Sequence, residues 1–220
     1  VIPPLRIDPN VLIDLGVHSK NYINKVLSCS RLEISYLSEY STDTPCFKGI
    51  FDWAIAYCGG AILGCRLILE NAYSILFNVA GGFHHAKEGS AGGFCVFNDV
   101  ALAAKYLQER GFKPAVVDID GHHGDGTQWI LYEEPILKIS FHMYFPGFYP
   151  GTGSIEELGR GKGYGYSVNI PLPPGTGDDM FTYALEELVI PLLESYKPDF
   201  LILQMGVDGH ESDLLVDLKL

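Results

Sequence analysis

Residues 115–126 constrain the chain more than any other segment, because an apolar run there changes abruptly into a cluster of acids and histidines. The run 115–117 predicts a buried strand, in which side chains alternate between two faces. While the extended conformation persists, Asp118, Asp120 and His122 share one face. Carboxylate and imidazole groups at a strand end suit a hard or borderline metal ion, and burying them is costly without a metal or partners. The segment therefore predicts a metal site.

Two other interpretations of this segment are weaker. A calcium-binding EF-hand loop that starts at Asp118 needs Gly at its sixth position and Glu at its twelfth, where this chain has His123 and Trp129. A solvated charged turn is disfavoured because two adjacent histidines after Asp-x-Asp are a poor loop composition.

Strand-like and helix-like segments alternate along the chain, and this order predicts an α/β fold. We expect a single domain over residues 1–220, with a mostly parallel central sheet and helices on both faces. The helix over 52–70 is apolar nearly all round and is predicted to be buried. A loop is predicted over 41–45. The predicted helices are 18–28, 52–70, 99–110, 125–133 and 178–196, and the predicted strands are 73–80, 115–120, 136–142, 166–170 and 199–205.

The composition bears on function class. A net charge of −12 argues against a broad basic surface for nucleic acid and is compatible with a cationic substrate. No charge-free apolar stretch reaches roughly 18 residues, so no membrane span is predicted. Five cysteines without a C-x-x-C pair predict reduced thiols and hence an intracellular protein, cytoplasmic or, in a eukaryote, also nuclear. His18 is predicted to lie on the surface.

Polar clusters follow three of the predicted strands. His84 and His85 follow the first strand, residues 118–125 end the second, and Asp208 follows the last. Sites in open parallel sheets form beyond the carboxyl ends of the strands. These clusters are therefore predicted to meet at one rim.

The first set of groups at this rim matches a catalytic metal. Asp120, His122 and Asp208 supply the three protein ligands of a zinc ion that keeps one position open. Such an ion lowers the proton affinity of a water molecule, which a neighbouring base must then deprotonate.

The remaining groups match that need for a base. His84 and His85 are two candidates side by side, and histidine is the usual general base. Each imidazole needs a partner on its second ring nitrogen. Asp118 and Asp125 are left for this orienting role.

Five motifs occur in order along the chain. They are Gly81-Gly82-Phe83-His84-His85-Ala86, Gly92-Gly93-Phe94-Cys95-Val96-Phe97-Asn98-Asp99, Asp118-x-Asp120-x-His122-His123-Gly124-Asp125-Gly126, Pro146-Gly147 with Pro150-Gly151-Thr152-Gly153, and Gly206-x-Asp208-x-His210. From about Asp43 to the last residue, the chain resembles the zinc-dependent histone deacetylase family, which includes acetoin-utilisation-type and acetylpolyamine amidohydrolases. The resemblance implies an arginase/deacetylase-like fold.

The resemblance also implies catalytic roles. It assigns zinc to the three ligands named above, and these ligand types also accept iron(II). It makes His85 the main general acid/base, paired with Asp125. It makes His84 the electrostatic partner, paired with Asp118.

Further roles concern the substrate and a second cation. By resemblance, Gly93 offers its carbonyl to the substrate side chain, and Phe94 and Tyr149 wall a narrow acyl-lysine tunnel. Asp43 resembles a rim residue that holds the substrate backbone. A structural monovalent cation, expected to be potassium, is assigned to Asp118, Asp120, His122, Ser140 and Phe141, partly through backbone oxygens.

The implied reaction is hydrolysis of a linear amide: removal of acetyl from acetyl-lysine in proteins, or from small acetylated amines such as acetylpolyamines. Zinc polarises the acetyl carbonyl, and His85 takes a proton from water and later gives one to the leaving amine. The family completes its oxyanion site with a Tyr in a later glycine-rich segment, beyond Leu220. We therefore expect a C-terminally truncated fragment of a longer protein. The missing initial Met separately leads us to expect that the chain is clipped.

Two hypotheses of other classes stay open. A binuclear manganese ureohydrolase resembles this fold, but it needs additional carboxylates in Asp-x-His-x-Asp order, whereas this chain has Asp-x-Asp-x-His-His. A non-catalytic module that binds acetylated ligands is disfavoured by the intact ligands and both histidines. The absent Tyr leaves that possibility open.

Overall fold

The protein is described by a computed structural model that covers residues 1–38 and 42–220. The first residue of the predicted loop 41–45 therefore lies outside the described residues. The chain divides into two compact units, Val1–Gly111 and Phe112–Leu220. Each unit is described on its own.

The described part of the first unit is helical. Its helices are α1 (Asn10–Asp14), α2 (Lys20–Ser30), α3 (Ile50–Leu69) and α4 (Asp99–Gln108).

Polar caps fix where two of these helices begin. The Ser19 hydroxyl accepts a hydrogen bond from the Tyr22 amide (3.2 Å) at the start of α2. The Asn98 side chain accepts one from the Ala101 amide (2.8 Å) at the start of α4. Such caps satisfy amides that lack a partner inside the helix. The helices predicted over 18–28 and 99–110 are thus confirmed, with small shifts of their ends.

Helix α3 is less buried than its apolar sequence suggested. Ala54, Cys58 and Ile62 are buried at helical spacing, whereas Asp52 and Arg66 are exposed and mark an outer face. The prediction that this helix is buried all round is therefore wrong for that face. Among the described residues, it is also the one helix whose length and hydropathy would suit a membrane span, a property that core helices of soluble proteins share.

The strand predicted over 73–80 is absent. This segment has no regular structure, and the side chains of Ile75, Phe77 and Val79 are exposed. A strand needs a neighbour that completes its backbone hydrogen bonds. No other segment among the described residues pairs with it as a strand.

His18 was predicted to lie on the surface, and this prediction is wrong because the side chain is buried. Its Nε2 accepts a hydrogen bond from the Asn98 amide (2.9 Å), and its Nδ1 lies 3.4 Å from the Glu88 carbonyl, to which it donates in the neutral ring. Its ring also packs between Tyr22 and Phe97, with centroids 5.3 and 5.0 Å away. Burial lowers the pKa of His18 to about 4.

Two of the five cysteines are paired, so the prediction that all five are reduced is wrong. Cys29 of α2 forms a disulfide with Cys46, across a sequence separation of 17. Cys58, Cys65 and Cys95 are free and buried. The intracellular location stays a prediction.

The second unit is built on a parallel sheet, as predicted. Its strands are β1 (Pro114–Asp118), β2 (Leu137–Met143), β3 (Ser167–Leu172) and β4 (Phe200–Gln204), in the order β3-β2-β1-β4. Asp118, the last residue of β1, is in register with Ser140 of β2 and with Gln204 of β4.

Three helical segments accompany this sheet: α5 (Asp125–Ile130), α6 (Asp178–Ala184) and α7 (Ile190–Tyr196). A π-helical turn, Leu185–Val189, joins the last two, where one helix was predicted over 178–196. Pro lies in the first turn of α7 and lacks an amide hydrogen, so a wider turn avoids a missing helical bond.

The sheet has an apolar face and a polar face. The apolar face carries Val117, Ile139 and Phe141 and packs against Ala184 and Val189 of the helical segment 178–196. On β2 the alternate residues point to the other face; they are polar and also buried, and they are Lys138, Ser140 and His142.

We expect His18 to make the protein sensitive to acid. Its folded pKa lies below the usual 6.5, so the unfolded chain binds a proton that the folded one excludes, and stability is lost as the pH falls from 6.5 towards 4. At about 1.4 kcal/mol per pH unit, the loss is on the order of 3 kcal/mol.

Urea unfolding of the wild type and of His18→Gln at pH 7.5 and 4.5 measures this loss of stability. The variant should lose less stability on acidification, whereas exposed His210→Gln should behave as wild type. Equal losses in all three proteins would contradict this account.

Candidate metal centre and histidine pair

Asp120, His122 and Asp208 come together at the carboxyl ends of two neighbouring strands. Asp120 and His122 follow β1, and Asp208 follows β4, which pairs with β1 in parallel. One ligand atom from each residue lies within 4.8 Å of the others. In the part of the chain that the structure describes, this is the one group of three or more such side chains. The predicted ligand set is therefore assembled by the fold.

Hydrogen bonds hold the three side chains. The Nδ1 atom of His122 lies 2.6 Å from Oδ2 of Asp208 and 3.4 Å from Oδ1 of Asp120. The Gly121 amide donates to Oδ1 of Asp208 (2.6 Å), and the Gln204 side-chain amide donates to Oδ2 of Asp120 (3.2 Å). Each carboxylate is thus oriented by a donor other than the histidine, as metal ligands are in proteins.

The electrostatics of this group favour a cation. Burial lowers the pKa of His122, but the hydrogen bonds and charges of Asp120 and Asp208 outweigh burial and raise it to about 9. A protonated ring therefore balances the two carboxylates. A divalent cation balances the same charges, and two oxygen donors with one nitrogen donor suit zinc or iron(II). The residues present fit such an ion.

Glycine is required behind this group. A Cβ atom on Gly206 would lie 1.9 Å from Oδ2 of Asp120, and one on Gly121 would lie 3.2 Å from Oδ1 of Asp208 and 2.7 Å from Val216. Contacts below 3.0 Å force a neighbour to move. The close approach of the backbone therefore sets where Asp120 lies.

Aromatic side chains flank the group. The ring of Phe148 stacks on His122, with centroids 5.0 Å apart and planes at 13°. Tyr149, predicted to wall the substrate tunnel, is partly exposed and meets His122 edge-on at 6.2 Å. Phe148 was missed in the sequence, because an aromatic residue in a Gly/Pro-rich segment carries no pattern that separates a wall from a core.

The segment behind these aromatics is pinned to the polar face of the sheet. His142 lies with Nε2 2.9 Å from the Gly153 carbonyl, and the Gly153 amide donates to Glu157 (2.9 Å). His123 is buried between Thr152 (2.9 Å) and Gln128 (3.2 Å). His142 thus anchors the segment at Gly153 to β2.

A small cavity lies on the same polar face. Asp118 and Ser140, two of the five residues predicted to bind a monovalent cation, contribute to its lining, together with His123. The ring of Phe141 packs instead on the apolar face, 4.6 Å from that of Phe181, so only its backbone could serve a cation. Asp120 and His122 belong to the metal group described above.

The histidine pair lies in the first unit. His84 and His85 are both buried, with ring centroids 4.0 Å apart. Asp118 and Asp125, their predicted partners, are buried residues of the second unit. The two pairings stay predictions.

Three predicted substrate residues lie near the pair in sequence or in space. Gly93 has φ +50°, and a Cβ atom there would lie 2.3 Å from the His85 ring. Its amide donates to Asp43 (3.1 Å), so Asp43 holds the glycine segment. Phe94 also has a positive φ and is mostly exposed, and its role as a tunnel wall stays a prediction.

The comparison with known proteins decides the family. The histone deacetylase domain matches residues 13–220. The chain belongs to the histone deacetylase family. The matched range includes residues of both compact units.

Curated members of the family are similar over most of the chain. A probable deacetylase of Archaeoglobus fulgidus is 39% identical, with 94% of this chain and 56% of that protein covered. The acetoin utilization protein AcuC of Bacillus subtilis is 36% identical, with 92% and 54% covered. Histone deacetylase 8 of Xenopus laevis is 36% identical, with 78% and 53% covered. The chain spans about half the length of these curated relatives.

Solved structures of the family share the fold. The HD domain of HDA15 superposes with a TM-score of 0.92 at 33% identity, over 99% of this chain and 62% of that one. A histone deacetylase homologue from Aquifex aeolicus gives 0.89 at 30% identity, over 99% and 60%. The fold is therefore the arginase/deacetylase-like α/β fold that the sequence indicated.

We expect Gly206→Ala to weaken metal binding. The new methyl group collides with Asp120 and moves one carboxylate, which at metal sites costs roughly 10- to 100-fold in affinity when a supporting contact is lost. Zinc affinity is measured by competition with a chromophoric chelator, with circular dichroism as a check on folding.

Gly177→Ala is the matched control, because its methyl group would meet only one backbone oxygen at 3.6 Å. It should bind zinc as the wild type does. If Gly206→Ala bound zinc equally well, the position of Asp120 would not depend on this close approach.

Proposed function

We propose that this protein is a metal-dependent amidohydrolase that removes acetyl groups from amines. The observation that carries the proposal is the group formed by Asp120, His122 and Asp208, two carboxylates and an imidazole within 4.8 Å at adjoining strand ends. Membership of the histone deacetylase family supports the reaction class. Because no third carboxylate joins this group among the described residues, a binuclear ureohydrolase site is disfavoured.

The three residues would hold zinc, with iron(II) as the alternative. When bound, the ion would supply Lewis acidity towards the acetyl carbonyl and towards water. Asp120 and Asp208 would neutralise its charge, and Gln204 would keep Asp120 oriented through its 3.2 Å hydrogen bond. A structural potassium ion beside Asp118 and Ser140 is part of the same proposal.

His85 would act as the general base that takes the proton of water and then returns one to the leaving amine. The two rings are buried with centroids 4.0 Å apart, and placing a charge on both at once would be costly there. We assign the base to His85, oriented by Asp125, and the electrostatic role to His84, oriented by Asp118. This assignment follows the family resemblance.

The preferred substrate would be the acetyl-lysine side chain of proteins. By the family resemblance, Gly93, Phe94 and Tyr149 are assigned to the path of its methylene stem. Asp43 would keep Gly93 in place. Acetylated small amines such as acetylpolyamines present the same amide on a similar stem, so the assay must include both. A net charge of −12 suits a basic peptide or a polyamine equally.

We expect His85→Ala to abolish deacetylation and to leave the metal bound. Loss of a general base costs about 10²- to 10⁴-fold in kcat, and His85 is not one of the three metal ligands. Initial rates on an acetyl-lysine peptide and on an acetylpolyamine, with zinc content from elemental analysis, give the two readouts.

His210→Ala, which changes an exposed histidine, serves as the control and should retain wild-type rates. Full activity of His85→Ala would show that His85 is not the general base. Zinc-loaded wild-type protein that hydrolyses neither substrate would overturn the proposed function.

A further inference from the structure

The backbone that carries the histidine pair is held by two consecutive residues at the start of α4. Asp99, the first residue of the helix, accepts hydrogen bonds from the amides of Gly82 (3.1 Å) and Phe83 (2.9 Å) through Oδ1. Its second oxygen also accepts from the Gly82 amide (3.1 Å). The carboxylate therefore fixes the turn that leads directly into His84.

Asn98 holds the other side of the same segment. Its side-chain amide donates to the carbonyls of His84 (3.1 Å) and Ala86 (3.0 Å). Its side-chain oxygen caps α4 through the Ala101 amide. The residue is fully buried, and its two donated bonds tie the His84–Ala86 backbone to the start of the helix.

The fit around Asp99 is close. A Cβ atom on Gly81 would lie 2.2 Å from Oδ2 of Asp99 and 2.5 Å from the side-chain amide of Asn78. Asn78 is itself anchored on the Tyr57 carbonyl of α3 (3.0 Å). The turn at Gly81 and the carboxylate of Asp99 are therefore held in a fixed position relative to each other.

Asp99 is an unusual residue to place here, because it is buried. Burial raises its pKa to about 6, while the amides of Phe83 and Gly82, its own amide and the charge of His84 act in the opposite direction. A buried carboxylate is costly unless its oxygen atoms accept hydrogen bonds. The amides of Gly82 and Phe83 supply hydrogen bonds to this carboxylate.

We infer that Asn98 and Asp99 are positioning residues for the catalytic histidines, Asp99 holding the amides before His84 and Asn98 the carbonyls around His85. They act through the backbone and need not touch the substrate. The inference rests on the proposed function for its catalytic readout. A misplacement on the order of 1 Å at a catalytic group costs roughly 10²-fold in rate. We therefore expect turnover to depend on how closely this turn is held.

The test compares Asp99→Asn with Asp99→Ala. Asn keeps one oxygen acceptor for the turn amides, whereas Ala removes both acceptors. We expect Asp99→Ala to lower kcat about 10²-fold with KM within a few-fold of wild type, and Asp99→Asn to restore most of kcat. Asp52→Ala, which removes an exposed acid from the first turn of α3, is the control and should match the wild type.

A second variant, Asn98→Asp, covers the case in which Asp99→Ala does not fold. It keeps the cap on Ala101 but replaces a donor with an oxygen that faces the carbonyls of His84 and Ala86. We expect a folded protein with a similar fall in kcat. Wild-type kcat in either Asp99→Ala or Asn98→Asp would overturn the inference, and so would an Asp99→Asn variant as impaired as Asp99→Ala.

An independent readout separates this inference from the proposed function. In ¹⁵N-edited NMR of the histidine side chains, Asp99→Ala should shift the resonances of His84 and His85 and leave those of His142 in place. Unchanged resonances of the pair would overturn the positioning role even if the wild type proved inactive on every acetylated amine. Shifted resonances in an inactive wild type would retain the positioning role and reject the proposed reaction.

Discussion

The parallel pairing of β1 with β4 is the constraint on which the candidate metal centre depends. Asp118 and Gln204 are in register at the carboxyl ends of these strands. The chain therefore leaves both strands at the same end of the sheet, where Asp120 follows β1 and Asp208 follows β4. A displacement of this register would separate the two carboxylates. The apolar core beneath the sheet, which includes Val117 and Val189, holds that register in place.

Close backbone approach is the second theme, and it recurs in both units. Gly206 leaves room for Asp120, and Gly93 leaves room for the His85 ring. At each position an added methyl group would lie within 2.5 Å of a predicted functional side chain. The glycine-rich motifs of the sequence are therefore packing requirements of the site, and not only turn signals.

The sequence predicted the second unit well, because its strands carry long apolar runs and its ligands follow them directly. The prediction from sequence failed where contacts between residues distant in the chain determine the structure. The run 73–80 has a strand-like pattern, yet no described strand pairs with it, and His18 lacks any local pattern that distinguishes a buried ring from a surface one. Asp99 was missed for the same reason: an acid at a helix start is usually solvated, and only the fold brings the turn amides to it.

We propose that one divalent ion binds at Asp120, His122 and Asp208. Elemental analysis of the purified protein, with Asp120→Asn beside it, tests this most directly. One zinc or iron per chain in the wild type, lost in the variant, is the result the account predicts. Two manganese ions per chain, or a folded wild-type protein without any metal, would contradict it.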